Sequence, residues 1–112
     1  MENKKTTENE LIARFRGMQV NNGWVNLYEH PTSPQMSSEN LDYNHNWSSL
    51  MPVVEQIEEL GFSFQIRKED IIIRPTSYFG SFPLMISIVK ESKIDAVHDV
   101  VVQFIKWHNK SN

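Results

Sequence analysis

The sequence predicts an α+β fold: a single three-layer α/β/α sandwich, with a mainly antiparallel sheet of three or four strands and three helices in the order α-β-α-β-β-β-α. Three observations carry that expectation. Apolar residues recur at helical spacing between Asn46 and Gly61 and again between Ser92 and His108. "FSFQIR", Phe62 to Arg67, alternates apolar and polar residues as a half-solvated strand does. "DIIIRP" and "PLMISIV" are apolar at adjacent positions, and strands of that kind need cover on both faces of their sheet.

Residues Met1 to Thr6 read as a flexible tail, and 7–110 as one domain. Thr7 and Glu10 have capping-box spacing, after which Leu11, Ile12, Phe15 and Met18 share a helical face and Gly17 suits the exit. Asn21-Asn22-Gly23 is turn-like, and "WVNLY", Trp24 to Tyr28, reads as a strand. Glu29 to Asn46 holds two prolines and many Ser and Asn residues. Structureless connections beyond about 12–15 residues are either functional or disordered, and only "LDY" near its end looks ordered. In "NWSSLMPVVEQIEELG", Trp47, Leu50, Val54 and Ile57 form the stripe. With Ser48 or Ser49 as N-cap, Pro52 falls in or just beyond the first turn, where a missing N–H costs little. Glu55, Glu58 and Glu59 lie outside the stripe, and Gly61 ends the helix.

Lys68-Glu69 joins the first two strands of the sheet, and Thr76 to Phe82, centred on Gly80, joins the last two. Ser92 caps the closing helix, with Asp95 at the capping-box position. Ile94, Val97, Val101, Phe104, Ile105 and His108 follow down one side, broadened by Val100 and Trp107. Val100-Val101-Val102 is poor helix chemistry by propensity, so burial must override it.

The chain has 112 residues, 39% hydrophobic and 22% charged, which is the composition of one ordinary globular domain. It has no cysteine. That excludes disulfides, thiol nucleophiles and cysteine metal sites, and fits a reducing cytoplasm. The polar N-terminus has no apolar signal region, and no apolar run approaches the roughly 18 residues of a membrane span. A net charge of −3 argues against a protein that coats nucleic acid. The four glycines form no phosphate-cradling pattern, and no nucleophile elbow is present.

His98 stands between Asp95 and Asp99, a spacing at which a carboxylate tunes a base or shares a metal; His30 and His45 lie in the long connection without a paired ligand motif. These do not make a metal site, and no catalytic set or cofactor is expected. Aromatic residues offer more. Tyr78, Phe79 and Phe82 crowd a seven-residue loop, and Tyr43 and His45 lie near the end of the long one, which Trp24, Tyr28 and Trp47 flank. These five, Tyr43, His45, Tyr78, Phe79 and Phe82, are the candidate binding residues. The alternative is that the rings fold back and roof the core.

"LDYNHNWSSLMPVVEQIEELG" and "AVHDVVVQFIKWHNK", together with the opening "LIARFRGM", resemble small proteins of phages and prophages of gut Bacteroidetes. The similarity covers about half the chain, and its more specific parts are Leu-Met-Pro-Val-Val-Glu and Phe-Ile-Lys-Trp. Gln103 stands where those proteins usually carry an acid, His108 where they carry a Tyr, and Ser49 where a second Trp is frequent. The resemblance implies a phage-type α/β/α sandwich and no particular activity. The function expected is therefore that of a non-catalytic accessory protein in the cytoplasm of a bacterial host, acting on a protein partner. A nucleic-acid-associated protein, with Arg67, Lys68 and Arg74 on phosphates, is the alternative, and a metal-dependent hydrolase built on His98 the third. A free strand edge also invites a homodimer.

Overall fold

The computed structural model describes residues 4–21, 23–26, 35–76 and 85–111. In chain order the elements are α1 (Lys4–Phe15), β1 (Gln19–Asn21), β2 (Trp24–Asn26), β3 (Gln35–Ser37), α2 (Trp47–Glu59), β4 (Phe62–Ile66), β5 (Asp70–Pro75), β6 (Met85–Ile88) and α3 (Lys93–Ser111). The α+β class, the three helices and the antiparallel pairing are as expected. The single sheet is not: the strands divide into β1-β2-β3 and β4-β5-β6, and the order becomes α-β-β-β-α-β-β-β-α. No helix among the described residues is long and apolar enough to cross a membrane.

α1 begins at Lys4, so residues 4–6 belong to the helix and not to a tail; neither lysine nor threonine stops a helix. Its exit is set by Gly17, whose φ is 90°. The Gly17 N–H donates to the Arg14 carbonyl and the Met18 N–H to the Ala13 carbonyl, both at 3.0 Å. That paired reversal needs a left-handed residue, which glycine supplies without strain.

The first sheet escapes a periodicity argument because its strands are three residues each and rich in Gln, Asn and Ser. Side-chain amides hold it across the strands. Gln19, Asn26 and Gln35 stand in one register row. Asn26 Nδ2 donates to Gln19 Oε1 at 3.1 Å, and Gln35 Nε2 to Asn26 Oδ1 at 2.8 Å. The neighbouring pair, Val20 and Val25, turns into the core.

α2 starts two residues earlier than the serines suggest. Asn46 is its N-cap, Oδ1 accepting from the Ser48 N–H at 2.8 Å. Pro52 is therefore internal, and the Ser48 carbonyl four residues back loses its helical donor. Burial of Leu50, Val53, Val54 and Ile57 holds the helix in spite of this. Trp47, placed in the stripe by spacing, is instead exposed. α2 also completes α1: Gln56 Nε2 donates to the Phe15 carbonyl at 2.9 Å, and Arg16 reaches Gln56 Oε1 at 2.7 Å. A last-turn carbonyl with no intrahelical partner is thereby satisfied.

In the second sheet Phe64, Ile73 and Met85 share one register row, and Ile66, Ile71 and Ser87 the next on the same face. α3 packs on β5 and β6, α2 on β4, and α1 between α3 and β1. Ile71 and Ile73 join the common core with the buried residues of all three helices. Ile72, on the reverse face, is 4% exposed yet lies outside that core cluster. β6 departs from the expectation of a strand buried on both faces: Ile88 at its end is 64% exposed.

The β4–β5 turn is closed by Arg67, whose Nε and Nη2 donate to Asp70 at 2.5 and 2.6 Å. The Arg67 hydrogen bond, more than its charge, holds the Asp70 carboxyl below the usual carboxylate range. A depressed carboxyl stabilises the fold above its unfolded pKa, and the contribution is lost as pH falls through the folded value. Acid titration should therefore release this turn only below the ordinary carboxylate range, read as late broadening of the Arg67 Nε–H resonance. Its disappearance in step with ordinary carboxyl titration, near about pH 4, would refute the pairing.

Candidate functional site

A polar chain runs through the core from α3 to the surface. His98 is fully buried, and its Nε2 lies 2.8 Å from Asn9 Oδ1. Asn9, 2% exposed on α1, donates from Nδ2 to the Leu41 carbonyl at 3.0 Å and to Asn44 Oδ1 at 2.8 Å. A backbone carbonyl only accepts, so the Asn9 amide can face only one way. Its Oδ1 then points at His98, whose Nε2 must carry the proton and donate. Asn44 Nδ2 in turn meets exposed His45 Nε2 at 3.0 Å.

The same turn is fixed from the other side by Asp42. Its Oδ2 accepts from Asn46 Nδ2 at 3.0 Å and its Oδ1 from the Ser49 hydroxyl at 2.7 Å. Residues 41–46 are thus held between the α2 N-terminus and the core. Tyr43, in the same turn, is 6% exposed and packs into the core. Burial pushes its phenol above the ordinary value, against the lowering effect of Arg16, with Asp42 adding a smaller rise.

The predicted binding residues therefore separate. Tyr78, Phe79 and Phe82 lie outside the described residues. Tyr43 is a core ring and His45 a surface one, two positions apart on one turn. The acid-flanked histidine is not assembled: Asp95 and Asp99 are exposed while His98 is buried. Asp99 Oδ2 takes Gln103 Nε2 at 3.0 Å. Glu55, Glu58 and Glu59 are exposed. Among the described residues no group of three or more His, Asp or Glu side chains is placed to hold a metal ion. Of the cations set aside for phosphates, Arg67 is engaged by Asp70, and Lys68 and Arg74 are exposed.

Spacing alone did not point to Asn9 and Asn44. The available signal was Asn9 in phase with Ile12 and Ala13, a polar side chain on a buried face. Also missed was the outer edge of β6. Between it and α3 lies a groove of about 500 Å³, walled by Ile86 to Ile88 on one side and Asp95, Ala96 and Asp99 on the other. From α3, Gln103 Nε2 donates to the Ile86 carbonyl at 3.3 Å. Trp24 and Trp47 are further exposed large rings. Comparison with known protein families, curated proteins and solved structures finds no match to this chain.

Proposed function

We propose that the chain is a non-catalytic protein-binding module, a phage- or prophage-derived accessory protein at work in the cytoplasm of a bacterial host. The observation that carries this reading is the outer edge of β6, which pairs with no strand among the described residues and lies beside an open groove. Sheet edges of this kind are where extended chains add to a fold. The commitment of His98 to a buried amide supports it as well, because a ring whose Nε2–H is spent on Asn9 and which is closed to solvent is poorly placed for acid–base work. The resemblance to phage proteins supplies the accessory role. Tyr78, Phe79 and Phe82 remain candidates for a second contact.

The test is affinity capture of tagged protein from host lysate treated with nuclease, beside a Tyr78→Ala/Phe79→Ala variant. A discrete protein retained by the wild type is the expected result. Material that nuclease removes and salt weakens would instead favour nucleic acid.

A further inference from the structure

We propose that the groove between β6 and α3 docks an extended basic peptide, which adds a strand to the edge of β4-β5-β6. The proposal rests on the protein-binding reading above and names the partner's chemistry.

The backbone comes first. The Val89 N–H donates to the Glu69 carbonyl at 2.9 Å. In an antiparallel ladder, inward bonding alternates with outward display. Ser87 and Met85, opposite Ile71 and Ile73, therefore bond inward, while Ile86 and Ile88 turn their N–H and C=O groups away from β5. The Ile86 carbonyl confirms the phase, since Gln103 meets it from outside. Three outward groups remain, the N–H of Ile86 and both polar groups of Ile88, and no hydrogen bond to them comes from the described residues. An incoming strand would satisfy them.

The side chains select what that strand must carry. Asp95 and Asp99 face the groove one helical turn apart. Four helical residues rise about 6 Å, and two strand residues about 6.6–6.8 Å. Alternate residues of an extended peptide therefore match the two carboxylates in spacing. Glu91 adds a third acid against Lys90 among the described lining residues, so those alternate residues should be Lys or Arg. The intervening ones fall on the opposite face, beside Ile86 and Ile88, and should be apolar. A second copy of this chain suits the edge less well, because two-fold pairing through β6 would set each acidic rim against its own copy.

The probe is an end-blocked, fluorescein-labelled octapeptide alternating Lys and Val, titrated by anisotropy and mapped by amide chemical shifts. Binding is expected with shifts centred on Ile86 to Ile88 and Asp95 to Asp99. Asp95→Asn/Asp99→Asn should weaken it about tenfold, the effect of two exposed charge pairs. A peptide N-methylated on one edge should lose it. Equal binding by the variant or by the N-methylated peptide overturns the proposal, as does no binding at all. So does a dimer in sedimentation that Ile88→Lys dissolves. If the Asp95→Asn/Asp99→Asn protein still captures the same cellular partner as wild type, the groove assignment falls and the protein-binding reading stands. If wild type captures no protein, that reading falls separately.

Discussion

Phe104→Ala is expected to lower the free energy of unfolding by about 3–5 kcal/mol, the range for removing a fully buried aromatic ring. Phe104 has no exposed surface and joins three elements at one point. Its ring meets Phe15 of α1 edge-on at 6.2 Å and Phe62 of β4 at 4.9 Å, and stacks on His108 at 5.8 Å with 13° between planes. Alanine opens a cavity where α1, α3 and the second sheet converge, and none of them can close it without leaving another partner. Urea unfolding followed by far-ultraviolet circular dichroism measures the loss as a shift of midpoint at constant slope. A loss below about 1.5 kcal/mol would mean that the site collapses, and the convergence would not be as tight as the ring distances imply. Phe104→Leu, which keeps most of the volume, should retain the fold if alanine does not.

Asn9→Leu is the second large effect, at about 3 kcal/mol, because it withdraws one group from three buried partners. The His98 Nε2–H loses its Asn9 acceptor, and the Leu41 carbonyl and Asn44 Oδ1 lose their Asn9 donor. Leucine has similar bulk, so a cavity cannot account for the loss. His98→Leu in the same background should restore part of it, since removing both partners of a buried hydrogen bond costs less than removing one. The specific readout is the His98 Nε2–H proton resonance, present in the wild type and lost in Asn9→Leu. Additive single and double substitutions would show that the two side chains are not coupled.

The second half of the fold was legible because each element repeats its period long enough to be counted. Phe62 to Ile66 alternates, Ile71 to Ile73 is apolar throughout, and Val97 to Ile105 sustains a helical face. Of the first sheet only β2 was legible, within the strand read from Trp24; β1 and β3 were not, because strands of three residues carry no period and are held by amides that look like loop chemistry. The turn-like Asn21-Asn22-Gly23 was read as the entry to a strand, but nothing ahead of it marked Gln19 to Asn21 as the partner that makes it a hairpin. Pro52 was misplaced for a local reason: three polar residues, Asn46, Ser48 and Ser49, could each cap, and only the 2.8 Å bond from Ser48 N–H to Asn46 Oδ1 decides among them. Of the candidate site, the histidines were visible as residues but not in their roles. What buries His98 and leaves His45 at the surface is the packing of α1, the 41–46 turn and α3, which no short window contains.

The Asn9–His98 bond also sets the order of events during synthesis. Every strand pairs with its neighbour in the chain, so both sheets can close locally, and topologies with such contacts form in microseconds to milliseconds. The bond between α1 and α3 spans 89 positions. At about 5–20 residues per second, the ribosome separates those two residues by on the order of ten seconds. Through that interval Ile12, Ala13 and Asn9 have no α3 to cover them. The nascent chain therefore presents a helix with an apolar stripe long after its strands have found their partners, and the seal comes only with α3.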